Sequence, residues 1–227
     1  VEGNPFTLRP EKIPEYARKI AAIRIQDVRH QITGEDEPLY GEISFEEKRI
    51  RGETKAVGVI YDGFRLQKVF SDLLAPAGLH LRSSHIFLTN RLFATWGEDD
   101  CRYHARTSLY GVPSVISTTG LIEAPARPRE YYLLKQQYEL LGKNPLGIKE
   151  QLKANFLDYD DERLTEVVKG YVMQAVFYNL TGNPFCPDKG CRLYNAHWQE
   201  ELIFAQIESE FEFCPYHARI LNSLNER

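Results

Sequence analysis

The sequence predicts an α/β (α+β) domain with a small helical part around a metal ion at its C-terminal end. Short apolar and alternating runs typical of strands lie among helical segments in the first half of the chain. A broad apolar stripe at helical spacing follows at 162–179. Beyond it stand two close pairs of metal-ligating residue types, separated by 22 residues. We therefore expect one domain over residues 1–227, with a metal-binding subdomain at about 183–227.

Composition and charge exclude several classes of protein. The 227 residues are 43% hydrophobic and 26% charged, which is typical of a globular chain. The net charge of −4 and the pI of about 5.9 do not favour a nucleic-acid partner, which a basic surface would indicate. No apolar run approaches the ~20 residues that span a bilayer, and residues 1–10 lack the apolar core of a signal peptide. Four cysteines are too few for a disulfide scaffold, so we expect a cytoplasmic protein without a membrane partner.

The first third of the chain predicts strands around two helices. A short helix is expected at 13–19, and the alternation at 20–28 predicts a strand after it. The segments 40–50 and 56–61 are interpreted as two further strands. Apolar residues at helical spacing predict a helix at 64–74, after an Asp-Gly turn and before a Pro-Ala-Gly stop at 76–78.

The middle of the chain predicts a buried strand at 85–92 and extended segments at 103–110 and 114–118. A helix is expected at 129–141. The stretch 143–160 contains glycine and proline and is interpreted as an insertion or a hinge.

The helix at about 162–179 is the best-defined element. Asp160 or Asp161 is a suitable N-cap, and Gly182 and Pro184 lie where the helix should end. Two helices are expected after it, at 199–210 and at 215–224.

The two ligand pairs predict one structural Zn²⁺. Cys186 and Cys191 flank a turn of Pro, Asp and Gly, and Cys214 and His217 stand at a predicted helix start. Two such short chelating pairs suit a tetrahedral zinc ion. The alternatives are a Cys186–Cys191 disulfide and buried, inert thiols. Cys101 has no chelating neighbour in the sequence and is interpreted as a free surface or edge thiol.

Residues 171–221 resemble the archaemetzincins, which are zinc metallopeptidases of the metzincin clan. That family has the motif H-E-x-x-H-x-x-G-x-x-H-C-x4-C, followed some twenty residues later by C-x2-C. Cys186 and Cys191 match its first cysteine pair, and Cys214 with His217 matches the second with histidine in place of cysteine. Gly182 matches the glycine of the motif.

The catalytic half of the motif is absent. Ala175, Asn179 and Phe185 stand at the three positions of the zinc-binding histidines, and Val176 stands at the position of the general-base glutamate. Without imidazoles and a carboxylate these positions do not activate a zinc-bound water. The resemblance therefore implies a metzincin-like mixed sheet that keeps the structural zinc site and lacks the catalytic zinc site. It implies an inactive protein that binds a peptide, a protein or another ligand in the former cleft.

A second hypothesis is a hydrolase with a rebuilt site that uses His85, His104 or His197. His197 precedes Glu200 and Glu201 by three and four residues, so the three could share a helix face. The simpler interpretation is an ordinary polar surface at each histidine. A purely structural, zinc-stabilised subunit is a third possibility.

Overall fold

The computed structural model describes residues 6, 9–34, 37–54, 58–74, 83–144 and 146–225. Within these ranges the α-helices are α1 (Ile13–Ala21), α2 (Tyr40–Ile50), α3 (Gly63–Leu74), α4 (Thr118–Glu123), α5 (Arg129–Leu140), α6 (Leu146–Gln151), α7 (Leu164–Thr181), α8 (Gln199–Ile203) and α9 (Pro215–Asn225). The strands are β1 (Ile60–Asp62), β2 (Ile86–Thr89), β3 (Leu92–Gly97), β4 (Arg102–Arg106), β5 (Ser108–Leu109) and β6 (Ser114–Ser117).

The described strands form two small mixed sheets, each of three strands. In the order β1-β3-β4, the first pair is parallel and the second antiparallel. In the order β2-β6-β5, β2 is parallel to β6, and the two-residue strand β5 is antiparallel to β6 at the edge. Mixed sheets among many helices confirm the predicted α+β class.

Apolar side chains from different elements build separate core clusters. One cluster joins α1, α3 and the first sheet around Ile20, Leu66 and Phe93. A second joins α4, α7 and α8 around Leu121 and Leu202. Burial of apolar surface drives the association of these short elements. Helix α7 contributes to the second cluster and also to the packing of the C-terminal part.

Two predicted strands are wrong. At 20–28, α1 continues to Ala21 because its buried residues repeat at helical spacing, and Arg24 makes only an isolated bridge to Tyr61. Residues 40–50 form helix α2, whose buried residues include Glu46 and Arg49. Because these inward-facing residues are charged, a search for apolar residues does not reveal the helical period.

Other elements agree with the prediction more closely. The helices expected at 64–74, 129–141, 162–179 and 215–224 are present as α3, α5, α7 and α9. The strand expected at 85–92 is divided between β2 and the start of β3, which belong to different sheets.

The remaining differences are at element ends. Residues 143–160 include helix α6 and a 3₁₀ turn at Lys153–Asn155. The helix expected at 199–210 is α8 followed by a π-turn at Phe204–Glu208. Asp161 does not cap α7 directly, but its carboxylate accepts the backbone N–H of Arg163 at 2.9 Å. A strand is expected at 56–61, and Ile60 and Tyr61 from this segment lie in β1. Residues 56–57 lie outside the described residues, as does the predicted helix stop at 76–78.

Among the helices described, none has both the length and the apolar character required to cross a membrane.

Gly170 allows α7 and the π-turn to approach closely. A Cβ atom added at Gly170 would overlap the side-chain amide of the buried Gln206. We expect Gly170→Ala to lower the free energy of unfolding by about 1–3 kcal/mol, because the packed amide must move. Gly41→Ala is the matched control, since nothing lies within 4 Å of that Cβ in α2. Urea titration measures the free energy of unfolding of both variants. Equal values for the two would show that the contact between Gly170 and Gln206 does not require glycine.

Candidate metal centre and the adjoining cleft

Four side chains that the sequence pairs only locally converge on one point. The ligand atoms of Cys186, Cys191, Cys214 and His217 all lie within 4.8 Å of one another. The Cys186 and Cys214 sulfurs are 3.8 Å apart. The His217 Nδ1 atom lies 3.7 Å from Cys191 Sγ and 3.1 Å from Cys214 Sγ.

These separations fit a tetrahedral metal ion. A tetrahedral zinc ion places two sulfur ligands about 3.8 Å apart, and a sulfur and a nitrogen ligand about 3.6 Å apart. A disulfide would bring two sulfurs to about 2.05 Å, so the 3.8 Å separation of Cys186 and Cys214 is not a disulfide geometry. All four cysteines are free, and Cys101 lies exposed and outside the group. The donor set of three thiols and one imidazole therefore suits a metal ion.

Local backbone structure positions the first ligand pair. The Cys186 N–H donates to the Leu193 carbonyl at 2.8 Å, and the Cys191 N–H donates to the Asp188 carbonyl at 3.1 Å. These bonds close a tight turn. Gly190 allows Ser209 to approach this turn closely, because a Cβ atom there would lie 2.9 Å from Ser209 Oγ.

The second pair stands at the start of α9. The Ala218 N–H donates to the Cys214 carbonyl at 2.9 Å, and His217 occupies the first turn of the helix. This places the Cys214 sulfur and the His217 ring on the same side of the helix start. The local structure thus presents both ligands to the turn formed by residues 186–191.

Burial sets the protonation of the ligands. Cys191 is fully buried, and Cys186, Cys214 and His217 are more than nine-tenths buried. Burial raises the pKa of Cys186 to about 12 and also raises the pKa of Cys191, whereas it lowers the pKa of His217. A neutral imidazole is ready to bind a cation. The thiols become ligands when a metal ion displaces their protons.

The candidate centre packs against α7. Phe177 on this helix is fully buried, and its ring centroid lies 5.1 Å from that of His217 in an edge-to-face arrangement. Gln174 Nε2 donates to the carbonyls of Arg192 and Tyr194, each at 3.2 Å. Side chains of α7 therefore hold the turn that carries the first two cysteines.

The four positions that the archaemetzincin resemblance assigns to catalysis lie on α7 and on the chain that follows it. Ala175 is buried and Val176 is half-buried. Asn179 is exposed, and its amide donates to Ser84 Oγ at 2.8 Å. Gly182 caps the helix at φ +76°, a conformation that favours glycine, and the chain then turns toward Phe185.

A tyrosine lies against the residues next to these positions. The Tyr110 ring centroid is 5.7 Å from that of Phe185 and 6.1 Å from that of Tyr178. Its hydroxyl donates to Gln174 Oε1 and accepts a hydrogen bond from Ser108 Oγ at 2.9 Å. Burial raises the pKa of Tyr110, so the phenol is neutral.

The sequence did not single out Tyr110 or Gln174. The only signal for Gln174 is a polar residue that interrupts the apolar helix 162–179. Nothing local marks Tyr110, since its ring contacts and its bond to Gln174 involve residues at least 64 positions away on α7 and beyond.

The structure does not bring the three other candidate histidines into one metal-binding group. In the described ranges the only group of three or more metal-ligating residues is the Cys₃His cluster. His104 Nε2 pairs with Asp100 at 2.8 Å, and His197 Nδ1 contacts the Asn195 carbonyl at 2.9 Å. His85 Nε2 is buried and has no hydrogen-bond partner among the described atoms.

The α+β fold and the buried Cys₃His cluster define a protein with a candidate metal centre. A family model described as "Probable metallopeptidase family (DUF6775)" matches residues 4–224, nearly the whole chain. The chain belongs to this family. No curated protein and no solved structure matches it significantly.

Proposed function

We propose that this chain is an archaemetzincin-like member of its family that is catalytically inactive and retains one structural Zn²⁺. Cys186, Cys191, Cys214 and His217 would hold the ion, which supplies folding free energy at this end of the chain. The three sulfurs and one nitrogen favour zinc among the divalent metals. Four protein ligands leave no open position for a water molecule, which is typical of a structural rather than a catalytic site.

The observation that carries the proposal is the packing around Tyr110. Its ring lies against Tyr178 and Phe185, and its hydroxyl binds Gln174. These residues are adjacent to, or stand at, three of the four positions that the archaemetzincin motif assigns to catalysis. A neutral tyrosine thus lies beside the helix face that the motif assigns to catalysis, where a metal site would require imidazoles. The packing of the side chains around Tyr110 resembles that of a protein core.

We infer that the sheet edge beside Tyr110 is where an extended peptide would bind. Strand β5 lies at the edge of its sheet, so one side of its backbone has no strand partner among the described residues. A peptide can add to such an edge through backbone hydrogen bonds. The nearby rings of Tyr110, Tyr178 and Phe185 would provide contacts for one of its side chains.

Metal analysis together with a peptidase assay tests the proposal. Purified protein should contain one zinc ion per chain and should not hydrolyse a mixed peptide library at neutral pH. Cys191→Ser should lose the zinc, because three ligands remain and one of the buried thiols is gone. Two zinc ions per chain, or hydrolysis that a chelator inhibits, would overturn the assignment as an inactive protein.

A hydrolase with a rebuilt site is the second candidate, and the unpartnered Nε2 of His85 favours it. A buried imidazole nitrogen without a partner is available to bind or to transfer a proton. If the peptide library is cleaved by protein that contains one zinc ion, His85→Gln should abolish the cleavage and leave the zinc content unchanged. Cleavage that survives in His85→Gln would exclude His85 and leave His104 and His197 as the candidate residues of such a site.

A further inference from the structure

A second buried polar cluster lies far from the cysteines in sequence, between α2 and the first sheet. Glu46 is fully buried, and one of its oxygens accepts hydrogen bonds from Arg24 Nη2 at 2.7 Å and from the Tyr61 hydroxyl. Its other oxygen accepts a bond from Arg91 Nη2 at 2.9 Å. Arg49 joins the cluster by donating to the Tyr61 hydroxyl at 2.9 Å.

The positive charges in this cluster outnumber the negative ones. Glu46 is shared by Arg24 and Arg91, and Arg24 also lies 3.7 Å from Glu42. Tyr61 is neutral at physiological pH, because burial and the Glu46 charge raise its pKa to about 12. Arg49 forms no ion pair with any carboxylate that the structure describes. Within the described part of the chain, the Arg49 guanidinium is therefore left without a direct ion pair.

Arg49 is also incompletely hydrogen-bonded. It is 6% exposed, and its Nη2 donates to the Asn90 carbonyl at 2.8 Å. Its Nε is buried and has no acceptor. Burial, together with repulsion from Arg91, lowers the pKa of Arg49. A buried charge without a direct ion pair is unfavourable, so an anionic ligand beside Arg49 would be stabilised by it.

Arg49 lines a cavity of about 140 Å³. Asn90 and Thr119 contribute polar groups to its wall, and β1 and β3 contribute apolar side chains. Glu123 and Tyr159 also line the cavity, and the Tyr159 hydroxyl donates to Glu123 Oε1 at 3.0 Å. The cavity thus combines one unbalanced cation, a small apolar surface and one carboxylate.

We propose that this cavity binds a small monocarboxylate, whose anionic group compensates the charge of Arg49. The apolar wall suits a short carbon chain. Glu123 disfavours inorganic phosphate, because a second negative charge on the ligand would be repelled more strongly. This inference is independent of the proposed zinc centre and of peptide binding in the cleft.

Titration with propionate tests the inference. At constant ionic strength, propionate should raise the melting temperature of the wild-type protein in a saturable manner, and chloride and inorganic phosphate should not. Arg49→Gln should abolish the saturable rise. Glu123→Gln should tighten propionate binding about threefold or more, because it removes a like charge from the cavity. Glu130→Gln, an exposed change in α5, is the control and should leave the affinity unchanged.

Three results would overturn the inference. The first is a wild-type melting temperature that propionate does not raise beyond the chloride control. The second is tighter binding of phosphate than of propionate. The third is weaker binding of propionate by Glu123→Gln. If Arg49→Gln does not fold, the wild-type and Glu123→Gln titrations still decide the question, because Glu123 is exposed.

Discussion

Replacement of Cys191 by serine is expected to lower the melting temperature by about 8–16 °C. The variant loses a fully buried ligand of the Cys₃His cluster, and binding free energy at a structural zinc site is also folding free energy. Structural zinc ions bind zinc-finger peptides with about 10–16 kcal/mol, so a net loss of about 4 kcal/mol in a larger domain is a modest expectation. For a domain of this size, each kcal/mol corresponds to about 2–4 °C. Differential scanning calorimetry measures the shift.

Cys101→Ser is the matched control, because this thiol is exposed and lies outside the cluster. It should retain both the metal and the wild-type melting temperature. A chelator that strips the metal should reproduce the loss seen in Cys191→Ser and should have no further effect on that variant. An unchanged melting curve after demonstrated removal of the metal would show that the centre does not stabilise the fold.

Replacement of Glu46 by glutamine is expected to lower the free energy of unfolding by about 3–5 kcal/mol, since it leaves buried arginines without their shared anion. The variant keeps the shape of the side chain and removes the charge that both Arg24 and Arg91 contact. Urea unfolding is the suitable measurement, because a neutral denaturant does not screen the remaining charges.

We expect the Glu46 carboxylate to make the free energy of unfolding depend on pH. Burial alone would raise the pKa of Glu46, but the Arg91 charge and hydrogen bonds from Tyr61, Arg24 and Arg91 together hold it below the ordinary value of 4.5. Since the pKa is lower in the folded state, the stabilisation is present above pH 4.5 and is lost as the pH falls through the folded-state pKa. Wild-type stability should therefore decrease more steeply than that of Glu46→Gln when the pH falls below 4.5.

Glu15→Gln is the control for both measurements. Glu15 pairs with Lys12 and Lys19 on the surface of α1, where solvent screens the charges. This variant should unfold almost as the wild type does. Equal urea midpoints for Glu46→Gln and Glu15→Gln would show that the buried cluster adds no more stability than a surface pair.

The sequence predicted the ligand set of the metal centre because each pair is local. A turn holds Cys186 near Cys191, and the first turn of a helix holds Cys214 near His217, so spacing alone reveals the two halves. Helix α7 was also predictable, since its apolar residues recur at helical spacing and Gly182 ends it. The convergence of the two pairs within 4.8 Å depends on packing against Phe177, which no spacing reveals.

The sequence did not predict α2 or its role. The residues that α2 turns inward include Glu46 and Arg49, and the buried charge of Glu46 is favourable only because Tyr61, Arg24 and Arg91 surround it. Four of these five side chains lie within residues 24–61, yet Arg91 comes from the loop between β2 and β3. Burial of charge depends on partners that only the folded chain assembles.

The sequence by itself determined the α+β class, the two chelating pairs and the absence of an H-E-x-x-H motif, because local spacing and residue type are enough for each. The tertiary structure alone decided what surrounds these features. It placed four ligands at one point, set Tyr110 against Tyr178 and Phe185, and left Arg49 unpaired beside a cavity. The contact of Cys191 with His217 joins residues 26 positions apart, and that of Tyr110 with Phe185 joins residues 75 positions apart. Contacts at such separations follow from packing between elements rather than from any local pattern.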